Sequence, residues 1–318
     1  MKYDDKRLES LAHISLENSR IVLTHPILFL CGGQVDVKSP APISVRGALV
    51  EYLHKAQCHL ADSITLAEDF QDWIHDAVYK DLLAFESDIA HISSLIVIIL
   101  ESPGALAELG LFVKNKALKN KILVFVRQDH YEESSFIRLG PLRYLQDIKV
   151  SSVCSYPWDD GDLVGTLSSS LKEMREDILS AVSNRDGSEA FNIDNEGHIA
   201  FVIYEVVKVF RALMFMEIES YLQAIKIKIS RDKLKRLLFL LGKFKLVDSS
   251  TRGHVDYYYV TLDVVMVEFA GRFEPTKVKL AAQQYYATND GEAKRMHIIQ
   301  SAYAKAVPEP VVLPAGAE

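Results

Sequence analysis

The chain has 318 residues, of which 49% are apolar and 25% are charged. This length exceeds that of one ordinary single-core domain, and the composition excludes a disordered or fibrous protein. The three cysteines, Cys31, Cys58 and Cys154, are too few for a disulfide framework and favour a reducing, cytoplasmic location. The longest apolar run, Leu95–Leu100, is too short to span a membrane, and we expect no signal peptide.

Positive charge is concentrated in one segment of an otherwise acidic chain. Residues 221–252 contain nine basic and two acidic side chains, a net charge of +7, whereas the whole chain carries −7 and the remainder therefore −14. Such an island favours contact with a polyanion; a solvated helix face is the alternative. The candidate nucleic-acid-binding residues are Lys226, Lys228, Arg231, Lys233, Lys235, Arg236, Lys243, Lys245 and Arg252.

Residues 25–183 alternate short apolar runs with helical patterns. The apolar runs are continuous, which predicts strands covered on both faces. Strand and helix repeated in this order indicate a parallel sheet with right-handed crossovers. We therefore predict a flavodoxin-like, doubly wound α/β domain with a five-stranded parallel sheet, whose ligands lie beyond the carboxyl ends of the strands. The predicted strands are Ile27–Cys31, Ile64–Ala67, Leu95–Leu100, Ile122–Val126 and Ile148–Cys154.

The rest of the chain predicts smaller parts around this domain. Residues 1–24 are assigned to an N-terminal helical extension, a helix over Leu163–Ser183 closes the first domain, and the polar segment 184–197 is the candidate linker. The pattern of residues 198–290 predicts several helices, of which the last is capped by Ser230. Two strands joined by a polar turn follow this helix. This outline is typical of a C-terminal winged helix-turn-helix domain, and we assign residues 291–318 to a C-terminal tail.

Candidate ligand-binding residues follow the first two predicted strands. Cys31 ends the first strand, and Gly32 and Gly33 behind it would let the backbone approach a phosphate; a simple tight turn is the alternative. Asp69 and Asp72 follow the second strand, where carboxylates would face the same crevice, although acidic residues are also ordinary in loops.

A helix beginning after the third strand supplies the strongest catalytic candidate. Ser102 can cap this helix with Pro103 in its first position, so that the amides of Gly104 and Ala105 would point into the crevice. Glu108 lies in an otherwise apolar part of the helix with no oppositely charged neighbour one turn away. A buried carboxylate needs a partner or a function; a hydrogen bond to a neighbouring loop is the alternative.

Other common chemistries lack their sequence motifs. The ten histidines and three cysteines show no metal-ligand spacing. Neither a Walker A motif nor a Rossmann glycine motif occurs, which argues against a redox dinucleotide enzyme. We therefore expect no metal and no resident cofactor.

Several of these motifs occur in an order and spacing that resemble a known family. The runs FLCGG, LAED, ESPGALAELGLF and SFIRLGPLRYL, with Ser44–Arg46 at a helix start, resemble the nucleoside deoxyribosyltransferase-like effector of type II retrons. The resemblance is close over residues 25–155 and covers residues 195–265 in outline. It implies a catalytic Glu108, an assisting Asp69 or Asp72, and substrate contacts from Arg46 and from the two turns. Ala105 departs from the serine that is commoner in the family.

The resemblance also implies a function. It implies a toxin in anti-phage defence, an N-glycosidase hydrolysing NAD or a related nucleotide. Its partners would be the retron reverse transcriptase and multicopy single-stranded DNA with its RNA, which would hold it inactive in an oligomeric ribonucleoprotein complex. The winged helix would bind that nucleic acid or the transcriptase. The alternatives are a nucleotide-sensing, DNA-binding regulator without catalysis, and a base-exchanging deoxyribosyltransferase.

The proposed chemistry agrees with the residue types at the strand ends. Cleavage of an N-glycosidic bond develops positive charge on the sugar, which a carboxylate stabilises or attacks. The nicotinamide of NAD leaves from an already cationic state, so that no strong general acid is needed. A crevice rich in carboxylates can stabilise the cationic sugar. Its low content of lysine and histidine is compatible with a reaction that needs no strong general acid.

Overall fold

The computed structural model describes residues 6–36, 38–58, 60–66, 68, 78–185 and 187–305. The chain divides into two compact units. The first, Val22–His198, is called the sheet unit, and the second, Met1–Ile21 with Ile199–Glu318, is called the helical unit. Within the described residues, every helix is too short or too polar to cross a membrane.

The regular elements are numbered in chain order. The helices are α1 Lys6–Leu11, α2 Val45–Lys55, α3 Leu82–Ile92, α4 Pro103–Val113, α5 Gln128–Glu132, α6 Arg143–Ile148, α7 Leu163–Leu167, α8 Ser170–Ser183, α9 Glu196–Phe210, α10 Phe215–Ala224, α11 Arg231–Lys243, α12 Pro275–Thr288 and α13 Ala293–Lys305. The strands are β1 Ile14–Val22, β2 Leu28–Cys31, β3 Ile64–Thr65, β4 Leu95–Ile99, β5 Ile122–Arg127, β6 Val153–Tyr156, β7 Ser188–Ala190, β8 Leu213–Met214, β9 Val247–Arg252, β10 Val255–Val260 and β11 Val267–Gly271.

The sheet unit is built on a five-stranded parallel sheet in the order β3-β2-β4-β5-β6. This confirms the predicted α/β class and the five parallel strands. Counted from β2, the order is 2-1-3-4-5, which is the order of flavodoxin-like sheets. The chain order reverses between β2 and β4, whose carboxyl ends lie side by side with Cys31 opposite Ile98. Ligands of such sheets bind at this reversal.

Side chains of the sheet are buried on both of its faces. All five residues of β4 and the first five of β5 are buried, as expected for continuous apolar strands. On one face, Val97 and Phe125 belong to a cluster with Leu49 of α2 and Met174 of α8. On the other face α4 covers the sheet, and the rings of Phe29 and Phe112 lie 6.3 Å apart. The site at the strand ends therefore stands on a rigid, doubly covered sheet.

The helical unit combines α-helices with short antiparallel strands. Helices α10 and α11 are followed by the β9–β10 hairpin, and β8 adds a third strand in the order β8-β10-β9. The side chain of Ser230 accepts a hydrogen bond from the amide of Lys233, which confirms the predicted cap of α11. The predicted apolar face of α11 is buried; it consists of Leu234, Leu237, Leu238 and Leu241.

A buried arginine fixes helix α13 in this unit. Arg295 is 1% exposed and its guanidinium reaches Glu217 at 2.7 Å and Glu292 at 2.7 Å. The same group lies over the rings of Tyr257 and Tyr286, at 5.2 and 4.8 Å from their centroids. Residues 293–305, assigned from sequence to a C-terminal tail, therefore form a helix anchored by a buried ion pair.

Several element boundaries differ from the sequence predictions. The helix predicted over 163–183 is two helices, because three consecutive serines, residues 168–170, favour local side-chain hydrogen bonds over helix continuation. Helix α9 ends at Phe210, and Arg211 after it adopts a left-handed φ of 68°. The segments 1–24 and 184–197 each contain a strand, β1 and β7. Strand β1 pairs antiparallel with β11.

We predict that Gly271→Ala strongly destabilises the helical unit. Gly271 has a φ of +104°, and a Cβ there would lie 2.1 Å from the backbone oxygen of His13 on the paired β1 side. Neither the backbone at residue 271 nor the paired backbone at His13 can shift without disturbing the strand pairing. We therefore expect a loss of roughly 2–4 kcal/mol in unfolding free energy. Thermal unfolding measures the effect, with Gly187→Ala as the control because a Cβ there meets no atom within 4 Å. Equal melting temperatures for the two variants would contradict this account.

Candidate active site

Glu108 of α4 lies at the centre of a group of charged residues beside the end of β2. Its side chain shares a hydrogen bond with the thiol of Cys31, a residue only 1% exposed. Burial raises the pKa of Glu108; the Cys31 hydrogen bond and the charge of Arg46 oppose this rise, while Glu68 adds to it. The pKa of the Cys31 thiol lies well above its usual value because of burial and the nearby Glu108 carboxylate. The thiol is therefore a proton donor to Glu108 and not a nucleophile.

Two further glutamates interact electrostatically with Glu108. Burial, Glu108 and Glu68 together raise the pKa of Glu86 in α3 to about 7. Glu68 follows β3, as the sequence predicted for a carboxylate at that strand end. Glu86 was missed, because a single glutamate in an amphipathic helix gives no sequence signal; only the fold places its charge near Glu108, 22 positions further along the chain.

Arg46 compensates part of this negative charge. It is 6% exposed, and its guanidinium binds both carboxylate oxygens of Glu68. It also donates to the carbonyl oxygens of Gly33 at 2.5 Å and Leu30 at 3.2 Å. Arg46 therefore joins the end of β2 to the segment after β3. These four hydrogen bonds engage all three nitrogens of the guanidinium. The predicted contact of Arg46 with substrate stays a prediction.

Glu101 is a second residue that the sequence analysis overlooked. Its Oε1 accepts hydrogen bonds from the amides of Gly33 at 2.8 Å and Arg46 at 2.9 Å, and its Oε2 accepts from the amide of Val45 at 2.6 Å. A carboxylate at the first turn of α2 is favoured by the helix dipole and satisfies otherwise free amides. The sequence showed Glu101 only as the residue before the Ser-Pro-Gly turn.

These contacts correct the interpretation of the glycine turn. A Cβ on Gly33 would lie 2.7 Å from the Cβ of Ser44 and 2.9 Å from the Cδ of Glu101. A Cβ on Gly32 would lie 2.9 Å from the Cβ of Arg46, and neither glycine has a positive φ. The glycines thus make room for the protein's own side chains, and Glu101 occupies the Gly33 amide that was predicted to face a phosphate.

The start of α4 has the predicted cap but a different hydrogen-bonding pattern. Ser102 is the N-cap and Pro103 lies in the first turn, as predicted. The Ser102 hydroxyl donates to the carbonyl of Gly32 at 3.0 Å and accepts from the amide of Ala105 at 3.1 Å. The Ala105 amide is therefore engaged, which corrects the prediction that it points freely into the crevice. Gly104 is exposed, and a Cβ there would meet only the Ser102 hydroxyl, at 3.8 Å.

A cavity of about 390 Å³ opens beside this helix start, at the carboxyl ends of β4 to β6. Its volume lies within the usual range of small-molecule sites. Apolar and polar side chains line it together, among them Ser102, Pro103, Leu106, Arg127 and Trp158. The cavity shares Ser102 with the α4 cap, so that it adjoins the turn that follows β2.

Two predicted site residues, Asp69 and Asp72, lie outside the described residues, and their assisting role stays a prediction. Among the residues that the structure describes, no three histidine, cysteine or carboxylate side chains are grouped as metal ligands. The site is therefore defined by Glu108, Glu86 and Glu68 with Arg46 and Cys31.

The basic island lies on α11 and the segments before and after it. Arg231 forms an ion pair with Glu219 at 3.0 Å, so its charge is compensated within the unit. Within the basic island, four exposed lysines form no ion pair with any residue that the structure describes; they are Lys226, Lys228, Lys235 and Lys245. Helix α13 borders the island, because Arg252 donates a hydrogen bond to Nε2 of His297 at 3.2 Å. This neighbour could not be predicted from sequence, since residue 297 was assigned to the tail.

Comparison with known proteins places the chain in a family. Residues 42–249, more than half of the chain, match the model of the STM3845 retron effector protein family. Over 156 residues the chain is 30% identical to the Retron Ec86 putative ribosyltransferase/DNA-binding protein of Escherichia coli. That match covers 47% of each chain.

A second relative has the same kind of name. Over 120 residues the chain is 28% identical to the Retron Ec73 putative ribosyltransferase/DNA-binding protein of Escherichia coli, a match that covers 36% of each chain. The chain thus spans about half or less of the length of the curated relatives it matches. The extent of the family match is decisive: the chain belongs to the STM3845 family of retron effector proteins.

Proposed function

We propose that this retron effector is an N-glycosidase that hydrolyses NAD or a related nucleotide in the crevice of the sheet unit. The observation on which this rests most is the half-buried Glu108 beside the reversal point of the sheet, with Cys31 and Arg46 around it. The relatives' names refer to ribosyl transfer, which breaks the same kind of bond. As a toxin in anti-phage defence, it would be held inactive by the retron reverse transcriptase and its multicopy single-stranded DNA.

Glu108 would stabilise the cationic sugar or attack it. The charge of Arg46 and the hydrogen bond from Cys31 favour the ionised carboxylate against the effect of burial. A carboxylate that is held in place and partly shielded from water stabilises developing positive charge by several kcal/mol. The same ionised group could also form a covalent glycosyl intermediate, as the second carboxylate of retaining glycosidases does.

Glu86 would move the proton that hydrolysis requires. A carboxyl with a pKa of about 7 is protonated and deprotonated with comparable ease at neutral pH. This is the range in which general acid–base catalysis is most effective. The proton would be taken from the attacking water by Glu86, while Glu108 keeps its charge beside the sugar.

The attacking group distinguishes hydrolysis from the second candidate, which is transfer of the ribosyl or deoxyribosyl group to another base. Both relatives are named as putative ribosyltransferases, which supports such a transfer as the second candidate. Both reactions need the same carboxylate, and they differ in whether water or a second base attacks the sugar. Incubation of the purified protein with NAD or a deoxynucleoside plus a second free base separates them by product mass.

The helical unit would bind nucleic acid. The α10–α11 pair followed by the β9–β10 hairpin has the order of elements of a winged helix-turn-helix, and β8 corresponds to its third strand. The exposed lysines around α11 offer a surface for phosphates. Both curated relatives are named as DNA-binding proteins, which supports the same role here. The ligand would be the multicopy single-stranded DNA with its RNA.

We predict that Glu108→Gln abolishes nucleotide cleavage and toxicity while the protein still folds. The change keeps the shape of the side chain but removes its charge, which should cost about 100-fold or more in rate. The control is Glu51→Gln, the same change on α2, at a surface glutamate that pairs with Lys55. Cleavage is followed by mass spectrometry of NAD and deoxynucleosides. Turnover by the Glu108 variant at the wild-type rate would refute the assignment.

Glu86→Gln should reduce the dependence of stability on pH. The pKa of Glu86 is about 7 in the folded protein and 4.5 ordinarily, so between these pH values the folded state holds a proton that the unfolded chain has lost. The unfolding free energy therefore falls as pH rises through this window. Since the side chain is partly exposed, we expect a fall of only about 1 kcal/mol from this residue. Urea unfolding at both ends of the window measures it.

Glu86→Gln should remove the part of the decrease in unfolding free energy that comes from Glu86, whereas Glu51→Gln should leave that decrease unchanged. Residual dependence is expected in the Glu86 variant, because burial also raises the pKa of Glu108. An unchanged slope would show that Glu86 titrates like an exposed glutamate and would exclude it as the proton carrier at neutral pH.

Charge reversal on α11 should weaken nucleic-acid binding. We predict that changing Lys233, Lys235 and Arg236 to Glu lowers affinity for the retron DNA–RNA molecule and flattens its salt dependence, because phosphate contacts release counterions. Circular dichroism checks that the variant is folded, and fluorescence anisotropy over a salt series measures binding. If the variant binds as tightly as the wild type at every salt concentration, the island is a solvated face.

A further inference from the structure

Two lysines of the basic island adopt a backbone conformation that favours glycine. Lys226, just after α10, has a φ of 68°, and Lys245, just after α11, has a φ of 55°. A side chain in this left-handed region normally costs conformational energy, which is why glycine is preferred there. A residue kept in such a conformation calls for an explanation in terms of function.

Both lysines occupy the same position in a helix-ending motif. After α10, the amide of Lys226 binds the carbonyl of Gln223 at 3.0 Å, and the amide of Ile227 binds that of Leu222 at 2.8 Å. These two bonds define a Schellman motif, whose left-handed position is most often glycine. Because Ile227 is completely buried, the chain cannot leave this conformation without exposing it.

The end of α11 repeats this arrangement. The amide of Lys245 binds the carbonyl of Gly242 at 2.9 Å, and the amide of Leu246 binds that of Leu241 at 2.9 Å. Leu246 is completely buried, as Ile227 is after α10. The left-handed conformation is therefore imposed at both ends by the packing of the next residue, whatever side chain stands at the strained position.

A third copy of the motif provides an uncharged comparison. In the sheet unit α2 ends with Gln57 at a φ of 47°, whose amide binds the carbonyl of His54 at 3.0 Å. The amide of Cys58 binds that of Leu53 at 3.0 Å. The backbone is thus the same at three helix ends, and a positive charge stands at the strained position in the two ends that border α11.

The side chains of these two lysines are exposed. Among the described residues neither Lys226 nor Lys245 forms an ion pair, in contrast to Arg231, which is bound to Glu219. One lysine follows the end of α10 and the other follows the end of α11, so that one charge stands on each side of α11 in the chain. No intramolecular contact of the described residues explains why glycine is absent from both positions.

We propose that Lys226 and Lys245 bind phosphates of a nucleic-acid backbone at the two ends of α11. An ammonium group on a flexible stem suits a phosphate contact that carries no base information. The helix ends would fix the two backbone positions from which the side chains reach, and two such contacts would order the nucleic acid along α11. This inference rests on the proposed nucleic-acid binding of the helical unit and assigns two of its anchoring contacts.

The test is the double variant Lys226→Gly/Lys245→Gly in the full chain. Glycine relieves the backbone strain, so we expect a melting temperature equal to that of the wild type or about 2–4 °C higher. The probe is a fluorescently labelled DNA hairpin, titrated over a salt series. Loss of two phosphate contacts should reduce the slope of log affinity against log salt by about two and lower the affinity by roughly 10-fold at moderate salt.

Two controls separate charge from backbone effects. Lys226→Arg/Lys245→Arg keeps the charge and should bind the hairpin like the wild type. Gln57→Gly relieves the matching strain in the sheet unit and should leave binding unchanged. If the wild type binds the hairpin and the double glycine variant binds it with the same affinity and the same salt slope, the inference is overturned.

A different failure would point to a purely structural role. A lysine at a helix end can stabilise the helix dipole. In that case the double glycine variant would lose several degrees in melting temperature with unaltered binding, and the inference would be wrong. If the wild-type protein binds no hairpin at any salt concentration, the proposed nucleic-acid binding itself fails, and this outcome is distinct from the other two.

Discussion

The candidate site beside the end of β2 depends on how three neighbouring glutamates share the positive charge of Arg46. Burial and mutual repulsion both favour protonation of Glu108 and Glu86, and Arg46 is the cation that acts on Glu108 and binds Glu68. Three full negative charges cannot be held there cheaply. The structure resolves the conflict by letting Glu86 titrate near pH 7 while Arg46 and Cys31 support the charge of Glu108. That division would assign one carboxylate to the sugar and another to the proton.

The scaffold that holds these groups is made by another carboxylate. Glu101 accepts hydrogen bonds from backbone amides of the turn after β2 and of the start of α2. Ser102, at the start of α4, donates a hydrogen bond to the same turn. Three segments distant in sequence are therefore fixed at one edge of the sheet by short hydrogen bonds. Charge-assisted bonds to backbone amides are among the strongest in proteins. The glycines of the turn are needed because these side chains approach so closely.

The sequence predicted those parts of this arrangement that depend on local pattern. The continuous apolar strands, the Ser102 cap, the Ser230 cap and the isolated Glu108 were all readable, because each follows from the residues within a few positions. Glu86 and Glu101 were not, because their roles depend on which distant segments the sheet order brings together. Lys226 and Lys245 were identified as charges, but their strained backbone results from the burial of Ile227 and Leu246 and could not be inferred from charge.

The central claim is that the crevice cleaves an N-glycosidic bond with water. Purified full-length protein incubated with NAD in water enriched in oxygen-18 tests it directly, with products resolved by mass spectrometry. We expect free nicotinamide together with a sugar product that carries the heavy oxygen at its anomeric carbon. Intact NAD, and intact related nucleotides in the same assay, would contradict it; an exchanged base without heavy oxygen would identify a transferase instead.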